Sequence, residues 1–195
     1  AATAGQIVRK FIGDKADAIV AIATPSAQAA AAATSSVPIV FSAVTDPVAA
    51  KLVKDLKAPG GNVTGVSDRL PLAPQVDLML KVVPTAKRVG IVYSPGEINS
   101  TILIKELKAV LAQRGMTLVS AAAPRTVDVQ AATKSLVGKV DLIYSSTDNN
   151  VVSAYETMVR VATDAKLPMI AADTSSIKRG AVAALGMNYY DMGRQ

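Results

Sequence analysis

The sequence predicts an α/β protein built on parallel sheets, and three observations carry that expectation. Short β-branched apolar runs recur along the chain, a polar or Pro/Gly turn follows each, and amphipathic stretches of helical period separate several of them. Near-continuous apolar strands alternating with helices are the pattern of strands covered on both faces. That alternation defines the α/β class.

Taken in order, residues 3–13 read as a helix with Ile7, Val8, Phe11 and Ile12 on one side. Ala18–Ala23 is the first strand candidate, and Ile39–Ala43 is the second. The alanine run Ala29–Ala33 between them suits a helix lying close against the sheet. Ala58–Pro74 is different: Ala-Pro-Gly-Gly-Asn must turn, Val63–Val66 could add a short strand, and Pro71 and Pro74 punctuate the chain after it. This segment is the expected lobe boundary, with a second crossing near Ser175–Gly180. The remaining strand candidates are Arg88–Tyr93, Thr117–Ala121, Val140–Tyr144, Pro168–Ala172 and Ala181–Leu185. Ile98–Arg114 reads as a helix because Leu103, Leu107, Val110 and Leu111 fall at helical spacing and Gly115 stops it. Val127–Val137 is a second, and Asn149–Lys166 a third, started by Asp148 or Asn149 as cap. Residues 189–195 begin another helix. Both ends read as cut, as if this were the middle of a longer chain.

Composition narrows the function classes. The 195 residues include no Cys, His or Trp. A disulfide framework, a thiolate nucleophile, a Cys/His zinc site and a histidine triad are therefore excluded. Tyr and Phe together number seven, a poor supply of stacking platforms for single-stranded nucleic acid. The net charge of +6 is spread singly or in pairs among acids, without the concentrated stripe of a DNA-binding face. No apolar run reaches membrane-spanning length, and no signal peptide stands at residue 1.

In open α/β sheets, ligands sit outside the carboxyl ends of the strands. Here those ends are rich in small polar groups. The first runs into Thr24-Pro25-Ser26-Ala27-Gln28, with Thr24 placed to cap a helix and Pro25 to open it. A helix N-terminus of this kind suits a carboxylate. The second ends at Thr45 and Asp46, and the third at Ser94, Glu97, Asn99 and Ser100. The strand near Val140 ends at Ser145 through Asn150, including Asp148, and the one near Pro168 ends at Asp173-Thr174-Ser175-Ser176. Each alone is more often a cap or turn than a binding loop. Five in one chain shift the balance, because a crevice needs convergent polar groups. Neither a P-loop nor GxGxxG nor a GxSxG elbow is present. The loops favour neutral hydroxyl and amide groups over a carboxylate cage, so no catalytic residue, metal or cofactor is expected.

At these loops a family becomes recognisable. Ala23 to Gln28, Pro38 to Val48 and Pro59 to Asp68 resemble, in the same order, ABC-transporter substrate-binding proteins related to tryptophan/tyrosine-uptake systems. Tyr93 to Glu97, Thr147 to Asn149, Ala171 to Thr174 and Gly186 to Gly193 continue the series. The resemblance covers essentially the whole chain, and its specificity lies in the order rather than in any one match. It implies a type I periplasmic-binding-protein fold, with two α/β lobes closing on a ligand in the cleft between them. Lobe one would comprise residues 1–66 and 185–195, and lobe two residues 67–184. It implies a non-enzymatic, exported receptor, periplasmic or lipid-anchored outside the cytoplasmic membrane. Such a receptor delivers an amino acid, aromatic in the reported cases, to a permease and its ATPase; no nucleic acid is involved. The family's N-terminal signal, first strand and helix, and its C-terminal helix and tail, have no counterpart in this sequence. Joined to the strand ends, the resemblance places the α-carboxylate at the helix after Thr24, with Thr24, Ser26 and Gln28 adding hydrogen bonds. Asp173, or else Asp148, would pair with the α-ammonium, and Thr45, Asp46, Ser94 and Asn99 would complete the site. Two rivals stay open: the effector domain of a transcription regulator of the same fold, and an α/β enzyme using carboxylates and a divalent metal.

Overall fold

The computed structural model describes residues 2–195 and is α/β, with parallel sheets as expected. The described residues form two compact units. One contains the residues up to Leu70 together with Asn188–Gln195, and the other runs from Pro71 to Met187.

The first unit holds a three-stranded parallel sheet in the order β1-β2-β3, from Ile19–Ile22, Ile39–Val44 and Val63–Ser67. Helix α1 (Ala2–Gly13) packs on α2 (Thr24–Ala33), and α2 lies on β1 and β2. Ala27 and Ala30 are fully buried there, so the small side chains do let the helix approach the sheet. Strand β1 alternates strictly: Ile19 and Ala21 are buried, while Val20 and Ile22 are exposed. Gly65 allows β3 to pass β2, because a Cβ there would overlap the Phe41 carbonyl.

The second unit carries five parallel strands in the order β5-β4-β6-β7-β8. These are β4 (Arg88–Tyr93), β5 (Thr117–Ala122), β6 (Leu142–Ser145), β7 (Met169–Ala171) and β8 (Ala183–Ala184). Helix α4 (Ile98–Gln113) buries Leu107 and Leu111 completely and ends before Gly115, whose φ of 66° is the left-handed stop. A 3-10 turn at Thr126–Asp128 leads into α5 (Val129–Leu136), which with Tyr155, Met158 and Ala162 builds the core over β6.

Three expectations need correction. Helix α3 (Leu72–Val82) stands where Pro71 and Pro74 suggest punctuation. Pro71 is its N-cap and Pro74 lies in the first turn, where an N–H has no intrahelical acceptor to lose. The helix expected over Asn149–Lys166 is two: α6 (Asn149–Val152) and α7 (Tyr155–Asp164). Ser153 Oγ donates back to the Asn149 carbonyl at 2.7 Å, and Arg179 Nη2 donates to the Val152 carbonyl at 2.9 Å. The chain thus bends where a serine back-bonds and an arginine collects the freed carbonyl. Thr24 does not cap α2; it is the first helical residue, and Ala23 is the N-cap. A short α8 (Tyr189–Gly193) belongs to the first unit and is capped by the Asn188 side chain.

Candidate functional site

The order β5-β4-β6 reverses the direction of strand addition, so the carboxyl ends of β4 and β6 flank a topological switch point. Ligands of open parallel sheets collect at such a point. Here it is lined by Ser94, Asn99, Ser100, Ser145, Ser146 and Asp148, all buried. Asp148 caps α6 through Val151 N at 2.9 Å and also accepts from Ser94 N at 2.6 Å and Ser100 Oγ at 2.5 Å. One carboxylate therefore ties the β4 end, the first turn of α4 and the β6 end together. Burial pushes its pKa up, against the bonds from Ser100, Val151 and Ser94, with nearby Glu97 adding to the rise.

Glu97 does similar work one layer out. Its carboxylate accepts from Asn99 Nδ2, Asn149 N, Asn149 Nδ2 and Asn150 N at 2.8–3.1 Å. With the carboxylates engaged, the open groups are neutral. Asn99 Oδ1 and Ser146 Oγ are buried without a hydrogen-bond partner among the described residues. Buried polar atoms of this kind are the groups a ligand or ordered water would satisfy.

The first unit presents a second polar edge. The N-terminus of α2 has no side-chain cap, which leaves the N–H groups of Thr24 and Ser26 as donors at its positive end. Thr24 is buried and Ser26 half-buried, whereas Gln28 is exposed and gives its amide to the Ala50 carbonyl at 3.1 Å. Ala23 holds φ 71° and ψ 155°, a region nearly reserved for glycine. Ala43, beside a register shift in β2, holds φ 55°. Two left-handed alanines at one sheet edge are the kind of strain that surroundings must over-determine, and it gathers at ligand sites.

Asp46 caps the turn after β2 through Ala49 N at 2.9 Å and meets Arg69 Nη1 at 3.3 Å. Thr45 reaches Asp68, the residue after β3, with Oγ1 donating to Oδ1 at 3.1 Å. Asp173 accepts from Ser175 N, Ser175 Oγ and Ser176 Oγ at 2.5–3.2 Å, as the cap of the 3-10 turn Thr174–Arg179. Burial opposes those bonds, but they hold its pKa below the ordinary value.

The structure thus brings Ser94, Asn99 and Asp148 together at the switch point, and Thr24, Ser26, Thr45 and Asp46 along the first sheet's edge. It sets Asp173 in a local cap and turns Gln28 to a backbone carbonyl. Sequence reading counted Ser100 and Ser146 among the polar strand ends without assigning them to the site, and it missed Asp68. The signal for Asp68 was available, because it closes Val63–Ser67 as the other polar groups close their strands. Among the described residues, no group of three or more Asp or Glu side chains is placed to hold a metal ion. No helix among them is long and apolar enough to cross a membrane.

Comparison with known proteins gives a consistent picture. A family model described as "ABC transporter substrate binding protein" matches residues 1–195. A tyrosine-binding protein of Clostridioides difficile is 42% identical over 191 residues, which are 98% of this chain and 55% of that protein. The crystal structure of a conserved domain protein from Vibrio cholerae matches with a TM-score of 0.95 at 49% identity, over 98% of this chain and 65% of its own. An ABC domain from Streptococcus pneumonia, solved in complex with L-Trp, matches with a TM-score of 0.95 at 36% identity over the same shares. The chain therefore spans little more than half of the curated relative and about two thirds of the two solved chains.

Proposed function

Because the chain belongs to the family of ABC transporter substrate binding proteins, we propose that it is the solute receptor of an importer and takes an aromatic amino acid as the zwitterion. The family is one of solute-binding proteins rather than enzymes. The observation that carries the amino-acid reading is the division of polar groups between the two sheet edges. Uncapped helix N–H groups stand at one edge, and buried neutral acceptors and hydroxyls at a switch point stand at the other. An α-carboxylate fits the first. The relatives that bind tyrosine and L-Trp support the ligand class. On this reading Thr24 and Ser26 receive the carboxylate, and Asn99, Ser94 and Ser146 serve the rest of the ligand.

Ligand binding favours whichever arrangement of the chain offers the ligand more contacts. A permease and its ATPase, working from a membrane whose outer side holds this receptor, would read that arrangement. Titration calorimetry of the full-length protein tests the proposal. L-Tyr or L-Trp should bind, while their α-amides, which lack the carboxylate, bind at least tenfold more weakly. Absence of binding to any amino acid, or tight binding of a sugar in its place, would end this reading.

A further inference from the structure

One buried carboxylate stands apart from the proposed contacts. Asp68 comes directly after β3 at the carboxyl edge of the first sheet and is 6% exposed. Its Oδ1 accepts from Thr45 Oγ1 at 3.1 Å, its backbone N–H donates to the Val44 carbonyl at 3.3 Å, and the Tyr189 hydroxyl supplies a further hydrogen bond. Burial raises its pKa, opposed by the hydrogen bonds its carboxylate accepts from Thr45, from its own backbone N–H and from Tyr189.

Its counterparts at the other strand ends are differently placed. Asp46 has Arg69, Glu97 has four amide donors, and Asp148 and Asp173 have three donors each. An ionised carboxylate taken out of water without a cation is costly. It accepts about four hydrogen bonds, so two hydroxyls leave capacity for a cation.

Position agrees with chemistry. β1, β2 and β3 are consecutive neighbours, and α2 starts directly after β1. Parallel strands lie about 4.8 Å apart, which puts the end of β3 roughly 10 Å from the start of α2. Two charge-assisted hydrogen bonds of about 2.8 Å each, with the width of an α-amino acid between them, bridge such a gap.

We infer that Asp68 is the ammonium anchor of the amino-acid site, with Thr45 fixing the direction of its carboxylate. This inference rests on the amino-acid reading above. It moves the cationic contact from Asp173 and Asp148, in the second unit, to the same sheet edge that receives the α-carboxylate.

The test compares, by calorimetry on the full-length protein, L-Tyr with its deaminated analogue 3-(4-hydroxyphenyl)propionate. The unaltered protein should prefer L-Tyr, and Asp68→Asn should reduce that preference about 30-fold or more. Asp173→Asn is the control: it should lower the melting temperature and keep the preference. A carboxyl 13C measurement on the unaltered protein avoids any question of folding. The Asp68 signal should shift, and its titration midpoint fall, with L-Tyr but not with the analogue. If the unaltered protein binds no amino acid, the functional reading fails and this inference with it. If it prefers L-Tyr but Asp68→Asn keeps the preference, or the Asp68 signal is unmoved, the anchor assignment alone is overturned.

Discussion

Asp141, just ahead of β6, shows how a carboxylate outside any site can fasten two strands. Its Oδ2 accepts from Lys87 N and Arg88 N at 2.8 Å each, and its Oδ1 meets Arg88 Nη2 at 2.7 Å. The Arg88 guanidinium and the two N–H groups bring its pKa down to about 2. A carboxyl that is more acidic in the folded state stabilises the fold above its unfolded value of about 3.9, and the contribution is lost as pH falls through about 2. The pair is partly solvent-exposed, so screening leaves it only a small contribution. Asp141→Asn should therefore melt a few degrees lower than the unaltered protein at pH 7, with the gap closing toward pH 2. A gap that stays constant between pH 7 and pH 2 would assign the loss to something other than ionisation. Residues like Asp141 are not legible in sequence, because Asp141 lies 54 and 53 residues beyond Lys87 and Arg88 and meets them only through the β4–β6 pairing. Asp68 is legible in part: it closes the strand candidate Val63–Val66 as polar groups close the other strands, but its burial and its Thr45 contact come only with the β2–β3 pairing.

Elements are more legible than side-chain partners. The strands announce themselves by apolar runs, buried through most of Arg88–Tyr93 and alternating in Ile19–Ile22, and the observed bounds move by a residue or two. Helix boundaries fail where local chemistry competes with periodicity. Pro74 in a first turn costs nothing, and Ser153 ends a helix that apolar spacing alone would continue. The element most sensitive to one substitution is β3. Gly65 holds φ 156°, and any Cβ there would press on the Phe41 carbonyl of the paired strand. Overpacking of this kind typically costs about 1–3 kcal/mol, and a backbone atom yields less than a side chain. Gly65→Ala should thus lower stability by at least about 2 kcal/mol in chemical denaturation. It should also weaken ligand binding, because Ser67 and Asp68 sit at the end of the displaced strand. An unchanged denaturation midpoint would mean that β3 shifts freely, and the edge it carries could not then be a fixed part of a site.

On the scale of the whole molecule, each compact unit has its own sheet and its own buried side chains. Ile39, Phe41 and Val44 centre the first, and Val92, Ile143, Tyr155 and Met158 belong to the second. Separate cores within one chain break all-or-none unfolding, so a single melting temperature does not describe such a protein. The first core has three strands and the second five, and burial per residue grows with domain size. Without ligand, these 195 residues should therefore unfold in two calorimetric steps, the first unit melting earlier. A ligand that binds only the folded form adds RT ln(1 + [L]/Kd), about 2.7 kcal/mol at a hundredfold excess over Kd. If L-Tyr contacts both lobes, that energy is lost when either one opens, so the lower step should rise toward the upper and the two should merge. If it contacts only the edge formed by α2 and Asp68, the lower step should rise while the upper one stays fixed. A single sharp transition without ligand would show that the units already unfold together.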